Sequence, residues 1–502
     1  MVKIKIFKFT LYCLVTFFIN IVSYAQTSKF PASEWWEPGA DKEFPSVYTS
    51  ANKHGIVATR LEGGAQSVKD HPFFAPIGRN GRACVTCHQP ADGMSLSLKT
   101  IQERWEATQG RDPLFAAIDG SNCPSLDQSK KESHSLLLER GLIRIARPWP
   151  PQEYNGKKIR PEFLLEVVRD PTGCNLDKRY GLKSPAPYVS VFRRPRPATN
   201  TRYLTAIGFD FEPKTGLPMV VDVKSQKPTS GNLLSDARVL TLDDQAREAM
   251  LWHLEAFGTK QNKWLEAILL FEKKLTTAQV FSHIGGDLTA DGANGGFDLL
   301  GKAIAGELQS TSRKQIWSEE FLNWKSREGA SEDEKKFRDS VRRGVDLFSK
   351  KTFLIADSGG LNNIPLGNPL RDGCAICHNM QRSGMDVAPG QIDIGTSNLP
   401  YAEPAPHLPL FKLTCNANAI PHPYLGKVIY THDPGYALTT GQCRDIGKIT
   451  MQNMRGLSSR APYFSNGSAS SLREIVNFYN RRYRIGYTEQ ELQDLTNLLS
   501  VL

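Results

Sequence analysis

Apolar residues recur at helical spacing in a few stretches of the chain, and proline-rich polar stretches separate them. Over 242–257, Leu242, Ala246, Ala249, Met250, His253 and Leu254 fall on one stripe, which predicts an amphipathic helix. Ser331-Glu332-Asp333-Glu334 reads as a capping box opening a second helix, whose Phe337, Val341, Val345 and Phe348 share a face. A third helix is expected over 471–479, with Leu472, Ile475, Val476 and Tyr479 at i, i+3, i+4 and i+7. Thr488 and Glu491 form another capping-box pattern, ahead of inward-facing Leu492, Leu495, Leu498 and Leu499. Residues 26–70, 123–230 and 383–446 read as irregular. Pro148-Trp149-Pro150-Pro151, Pro185-Ala186-Pro187 and Arg193-Arg194-Pro195-Arg196-Pro197 forbid any long helix there. Residues 285–301 are Gly-rich and read as a loop. The pattern predicts a mainly α fold with long irregular connections.

Composition narrows this little. The chain has 502 residues, 40% hydrophobic and 23% charged, enough for two or three domains with their own cores. That balance excludes a disordered chain, and no fixed period suggests a repeat array. The net charge of +10 comes from basic residues interleaved with acids, which reads as solvated surface and argues against a nucleic-acid partner.

The first residues bear on compartment. Lys3, Lys5 and Lys8 precede an apolar run over 9–22, and Ser23-Tyr24-Ala25 ends it with small residues. This reads as a signal peptide, 1–25, cleaved before Gln26. The run is short for a bilayer span, so a periplasmic protein without a stable membrane anchor is expected. Cleavage would remove Cys13 and leave eight cysteines in an oxidising compartment. Cys123, Cys174, Cys415 and Cys443 allow three disulfide connectivities, of which the sequence-near pairs Cys123–Cys174 and Cys415–Cys443 are favoured.

The other four cysteines carry the chemistry. Cys84-Val85-Thr86-Cys87-His88 and Cys374-Ala375-Ile376-Cys377-His378 are two copies of C-x-x-C-H, the attachment pattern of c-type haem. Two thiols on one tight turn reach the two vinyl groups of a porphyrin, and the next histidine is held beneath the ring as an iron ligand. A zinc site would not need a histidine after each pair, and a thioredoxin-like pair would need a βαβ context. Two covalent haems c, on His88 and His378, are expected.

The block Met454-Arg455-Gly456-Leu457, Ala461-Pro462-Tyr463-Phe464-Ser465-Asn466-Gly467-Ser468 and Val476-Asn477-Phe478-Tyr479-Asn480 resembles the C-terminal signature of bacterial di-haem cytochrome c peroxidases. That superfamily includes the di-haem enzyme that completes a tryptophan-derived quinone. The resemblance covers the chain loosely and is tight around the two haem motifs and 436–500. It implies two cytochrome c-like haem domains, here 26–260 and 331–502, joined by 261–330, with an insertion at about 115–230 that includes Cys123 and Cys174. It implies that the N-terminal haem meets hydrogen peroxide and that the C-terminal haem relays electrons from a small cytochrome c or cupredoxin. It implies calcium as a possible further cofactor, with no ligands assignable.

The resemblance also points to individual residues. Typical members place an axial Met where this chain has Tyr479, and the quinone-forming relative has a Tyr there; Met454 is the alternative ligand. Members carry a distal Gln and, ten residues later, a Glu that assists peroxide cleavage, a spacing matched by Gln245 and Glu255. On a helix, however, ten residues mean roughly 80° of rotation and about 15 Å of rise, so both side chains would not reach one iron. If 242–257 is helical, His253 is the better distal group, as iron ligand or as contact to peroxide. Members often carry a Trp between the haems, where the nearest match here is Phe209. Two further readings stay open: a di-haem oxidase or oxygenase acting on an organic or protein substrate, and a non-enzymatic electron-transfer cytochrome.

Overall fold

Side-chain caps decide where the helices begin. Helix α1 (Leu98–Thr108) starts at Ser97, whose Oγ accepts from Thr100 N at 3.1 Å. Helix α2 (Leu242–Trp252) starts at Thr241, whose Oγ1 accepts from Asp244 N at 3.1 Å, and α3 (Gln261–Lys274) packs on it. Helix α4 (Glu332–Lys350) begins at Ser331, which caps Glu334 N at 3.1 Å. The other half of the expected capping box is replaced. The Glu334 carboxylate pairs with Arg327 at 3.0 Å and Arg338 at 2.7 Å, charged partners that outcompete a backbone N–H. Helix α5 (Leu472–Tyr483) runs a turn beyond the expected end. Helix α6 (Glu489–Ser500) keeps both halves of its box, Glu491 N to Thr488 Oγ1 at 3.2 Å and Thr488 N to Glu491 Oε2 at 2.8 Å. Helices α4 and α6 pack closely because Gly344 has no side chain; a Cβ there would lie 2.4 Å from Asp494 O.

This computed structural model describes residues 34–154, 157–201, 204, 210–211, 218–219, 231–258, 261–297, 320–361, 367–378 and 391–502. The expected signal peptide and Phe209 lie outside them. Among the described residues no helix is long and apolar enough to cross a membrane.

The expectation of a mainly α fold is overturned. The described residues are mixed α/β, with 31% of them in helix and 20% in strand, in several small sheets. The main strands are β1 (Val47–Asn52), β2 (Gly55–Leu61), β3 (Ile143–Pro148), β4 (Phe163–Arg169), β5 (Tyr188–Arg193), β6 (Leu275–Ser282), β7 (Gly286–Asp287), β8 (Leu410–Cys415) and β9 (Val428–Thr431). One antiparallel sheet has the order β7-β6-β2-β1, a second the order β9-β8-β4, and β3 pairs with β5. These strands hide from a pattern search. Strand β2 is buried along nearly its whole length between β1 and β6, so apolar and polar positions do not alternate. In β6, buried Thr277 and Gln279 break the apolar run; Thr277 Oγ1 meets Thr59 Oγ1 at 2.8 Å, and Gln279 Oε1 accepts from Asn52 Nδ2 at 3.0 Å.

The sheets tie distant parts of the chain together. In the second sheet Leu165 faces Leu413 and Phe163 faces Cys415, so β4, from the stretch expected as an insertion, pairs with a strand that follows the second haem motif. Phe163, Leu165, Phe411, Leu413 and Ile429 form one core beneath it. Both favoured disulfides are present, Cys123–Cys174 with Cα atoms 5.2 Å apart and Cys415–Cys443 with Cα atoms 5.9 Å apart. Two further cores lie against the haem motifs. One gathers Phe73, Phe74 and Phe271 with the buried face of α2 around Ala83 and Val85; the other gathers α4, α5 and α6 around Ala375.

Candidate functional site

Each C-x-x-C-H motif folds into a single 3-10 turn, Cys84–Thr86 and Cys374–Ile376. In the first, the N–H groups of Cys87 and His88 donate to Cys84 O at 3.2 and 3.1 Å; in the second, those of Cys377 and His378 donate to Cys374 O at 3.3 and 3.0 Å. The turn brings both cysteines and the histidine to the wall of one cavity in each case.

The His88 cavity holds about 160 Å³ of room for the centres of water-sized spheres. His88 Nδ1 lies 3.2 Å from Met94 O. A carbonyl only accepts, so Nδ1 carries the proton and Nε2 is left with its lone pair. Burial pushes the His88 pKa down to about 4, which keeps the imidazole neutral, the form that binds a metal.

Helix α2 forms another part of the wall. Gln245, Ala246 and Ala249 line the cavity, and so does His253, which caps the C-terminal end of the helix. Three interactions fix His253. Its carbonyl accepts from Asn80 Nδ2 at 2.9 Å and from Arg82 Nη1 at 3.2 Å, both from the segment just before the first motif. Its Nδ1 lies 2.5 Å from Asp119 Oδ2, and Asp119 lies 3.7 Å from Arg82 Nη1. Arg82 is itself held by Pro113 O at 2.8 Å and Leu114 O at 3.0 Å. Asp119 adopts φ +64°, a conformation costly for a side chain, and it is held there beside His253. With Nδ1 given to a carboxylate, Nε2 is the nitrogen left for a ligand.

Glu255 is placed differently from Gln245 and His253. Helix α2 ends at Trp252, Glu255 turns back at φ +52°, and it is not among the residues that line the cavity. The cavity has another carboxyl instead. Glu272, on α3, is buried and has no partner for Oε2, and burial raises its pKa to about 8.

The His378 cavity holds about 210 Å³ on the same measure. Phe348, Ile392, Ile394, Val476 and Leu499 make most of its wall apolar. Tyr479 reaches in from α5, and its Oη stands 3.4 Å from His378 Nε2. This hydrogen-bond contact brings the imidazole and the phenol together on the cavity wall, where either could serve as a ligand. Burial, with Tyr483 as the next cause, holds the Tyr479 hydroxyl well above its usual pKa, so a cation at that oxygen is what would release the proton. Met454, the alternative ligand, also lines this cavity.

The residues present fit covalent haem at both motifs. Paired thiols and a neutral imidazole share a wall, and each cavity far exceeds the roughly 15 Å³ that one water needs. Among the described residues no group of three or more His, Cys, Asp and Glu side chains is arranged to hold a metal ion, and nothing here marks calcium ligands.

Sequence reasoning missed Asp119, Glu272 and Asn453, a residue that lines both cavities. Asp119 lies on a tight turn with no motif around it. Glu272 sits among apolar residues of α3, and a lone acid on a buried face is the signal that points to it.

No family model matches the chain. Over 81 residues it is 33% identical to the cytochrome-c peroxidase IdrP1 of Denitromonas iodatirespirans, a stretch covering 14% of this chain and 22% of that relative. The chain therefore spans about a fifth of the relative it matches. Hydrazine synthase of Kuenenia stuttgartiensis, solved under 20 bar of xenon, aligns with 81% of this chain and 93% of its own at 15% identity. Its TM-score of 0.28 is too low to carry any inference. The chain thus shares a short, distant sequence similarity with a cytochrome-c peroxidase, in keeping with a haem oxidoreductase.

Proposed function

We propose that this protein is a periplasmic di-haem c-type oxidoreductase that reduces hydrogen peroxide at the His88 site, with electrons relayed through the His378 site. The observation that carries this reading is the His253–Asp119 couple in the cavity that His88 also lines. Bound haem would supply the redox-active iron at each site.

The protein's own groups supply the rest. His88 offers Nε2 from one side, with its tautomer fixed by Met94 O. His253 Nε2 takes a proton from incoming peroxide and delivers it to the departing oxygen. Asp119 orients the ring and stabilises the imidazolium formed between these two events. Gln245 adds a neutral hydrogen-bonding group on the same wall. Each peroxide consumes two electrons and two protons and leaves as two waters, the electrons coming from a small cytochrome c or cupredoxin. At the other site Tyr479 would offer an oxygen ligand, which would favour the oxidised state of a bound iron more than a thioether and so suit a store of oxidising equivalents.

An optical and EPR titration of the ferric holoprotein with peroxide tests this. The expected result is two haems per chain by pyridine haemochrome, a high-spin signal that peroxide abolishes, and turnover with reduced cytochrome c that His253→Ala removes. Two low-spin haems indifferent to peroxide would instead make His253 an iron ligand and the protein an electron carrier. A peroxide response without cytochrome turnover would favour an oxidase or oxygenase of organic or protein substrates.

A further inference from the structure

The two cavities meet at Asn453, which lines both. This side chain is 4% exposed; its Oδ1 accepts from Arg455 N at 2.7 Å, and its Nδ2 has no partner. Arg460 lines the His378 cavity, is 6% exposed and donates through Nη2 to Asn453 O, yet its Nε also has no partner. Arg194 and Arg196 line the His88 cavity. They spend their donors on neutral oxygens, Arg194 on Gly141 O at 2.6 Å and Arg196 on Leu234 O at 2.6 Å and the Thr450 hydroxyl. Among the described residues no carboxylate bonds to any of the three guanidiniums.

The neighbouring Arg193 shows the contrast. It bonds both oxygens of Asp433, at 2.6 and 2.9 Å, and Asp236 at 2.9 Å. Burial pulls Arg194 and Arg460 down to about 10 and Arg196 to about 9; Asp92 and Asp236, charged but not bonded to them, offset part of this for Arg194 and Arg196, and Arg460 repels both. Three like charges beside two orphaned donors make a costly arrangement unless an anion rich in acceptors enters. A carboxylate is the matching partner for guanidinium and amide donors.

We propose that Asn453, Arg460, Arg194 and Arg196 form one carboxylate-binding seam that takes propionate groups from both haems. The two haems then share one set of cations, and their reduction potentials are set together. This rests on the di-haem reading above.

The test is a spectroelectrochemical titration of the holoprotein that resolves both haems. A cation beside a haem favours the reduced form. Arg460→Gln and Asn453→Asp are therefore expected to lower both midpoint potentials, and Arg460→Lys to restore most of the shift. Asn453→Asp is nearly isosteric and carries the test if Arg460→Gln does not fold. A shift confined to one haem, or none, overturns the seam while leaving two haems by haemochrome and the di-haem reading intact. Wild-type potentials that follow added acetate would assign the seam to a free anion and overturn it as well. A chain without covalent haem sinks both readings.

Discussion

The two haem motifs fold into the same turn but face different surroundings. The cavity that His88 lines also holds a histidine–carboxylate couple, a glutamine, a buried glutamic acid and several guanidiniums. Opposite His378 stands a phenol in a largely aliphatic and aromatic wall. The C-x-x-C-H turn is thus encoded locally, in five residues, whereas the side chains that share each cavity with it come from elements far away in sequence. A polar, proton-handling wall suits a site that binds a small oxygen substrate. A mostly apolar wall that brings a phenol to the histidine suits a site that only changes charge.

The largest effect expected comes from erasing one side of the comparison. Cys84→Ala with Cys87→Ala, or Cys374→Ala with Cys377→Ala, should halve haemochrome absorbance per chain and remove one haem mass by intact mass spectrometry. Next, His253→Ala should slow the peroxide reaction about 10²–10⁴-fold in stopped flow, the range for a lost acid–base group. Asp119→Asn should cost about 10–100-fold through misorientation of the same ring. Neither should alter the spectrum of the His378 haem. Tyr479→Phe should do the reverse, changing that spectrum and sparing the peroxide rate constant of a pre-reduced sample.

Smaller effects concern stability. Replacing Cys415 and Cys443 by Ser opens a loop of 28 residues and should cost about 2–4 kcal/mol in denaturant unfolding. Glu272 titrates near 4.5 when unfolded and near 8 when buried. The folded state therefore holds its proton more tightly, so the stability it confers is full below pH 4.5 and is lost as pH rises through about 8. Thermal unfolding across that window should show Glu272→Gln flattening the decline, by an amount on the order of 1–3 kcal/mol at the alkaline end.

What could be read from the chain follows the range of each interaction. The helices starting at Ser331, Ser471 and Thr488 were legible because cap and apolar stripe lie within one turn of each other. The disulfides were legible because their cysteines are near in sequence. The sheets were not: β2 is covered on both faces, β6 buries hydrogen-bonded Thr277 and Gln279, and β4 finds its partner on the far side of both haem motifs. At the site, the spacing of each C-x-x-C-H motif shows that its cysteines and histidine lie on one turn, and the helical stripe shows that His253 lies near Ala246 and Ala249. Asp119 was not, because a turn residue at positive φ announces no partner. The Arg193–Arg196 run looked like a helix breaker, and only the folded contacts separate its paired arginine from its unpaired ones.

The pairing of β4 with β8 has a consequence for biogenesis. As the polypeptide is made, Phe163–Arg169 emerges with an apolar edge and waits for Leu410–Cys415, which is synthesised only after both haem-attachment sequences. Pairing of this sheet therefore waits until both C-x-x-C-H motifs have been made, a long-range closure of the slow kind that leaves the chain open while either motif is modified.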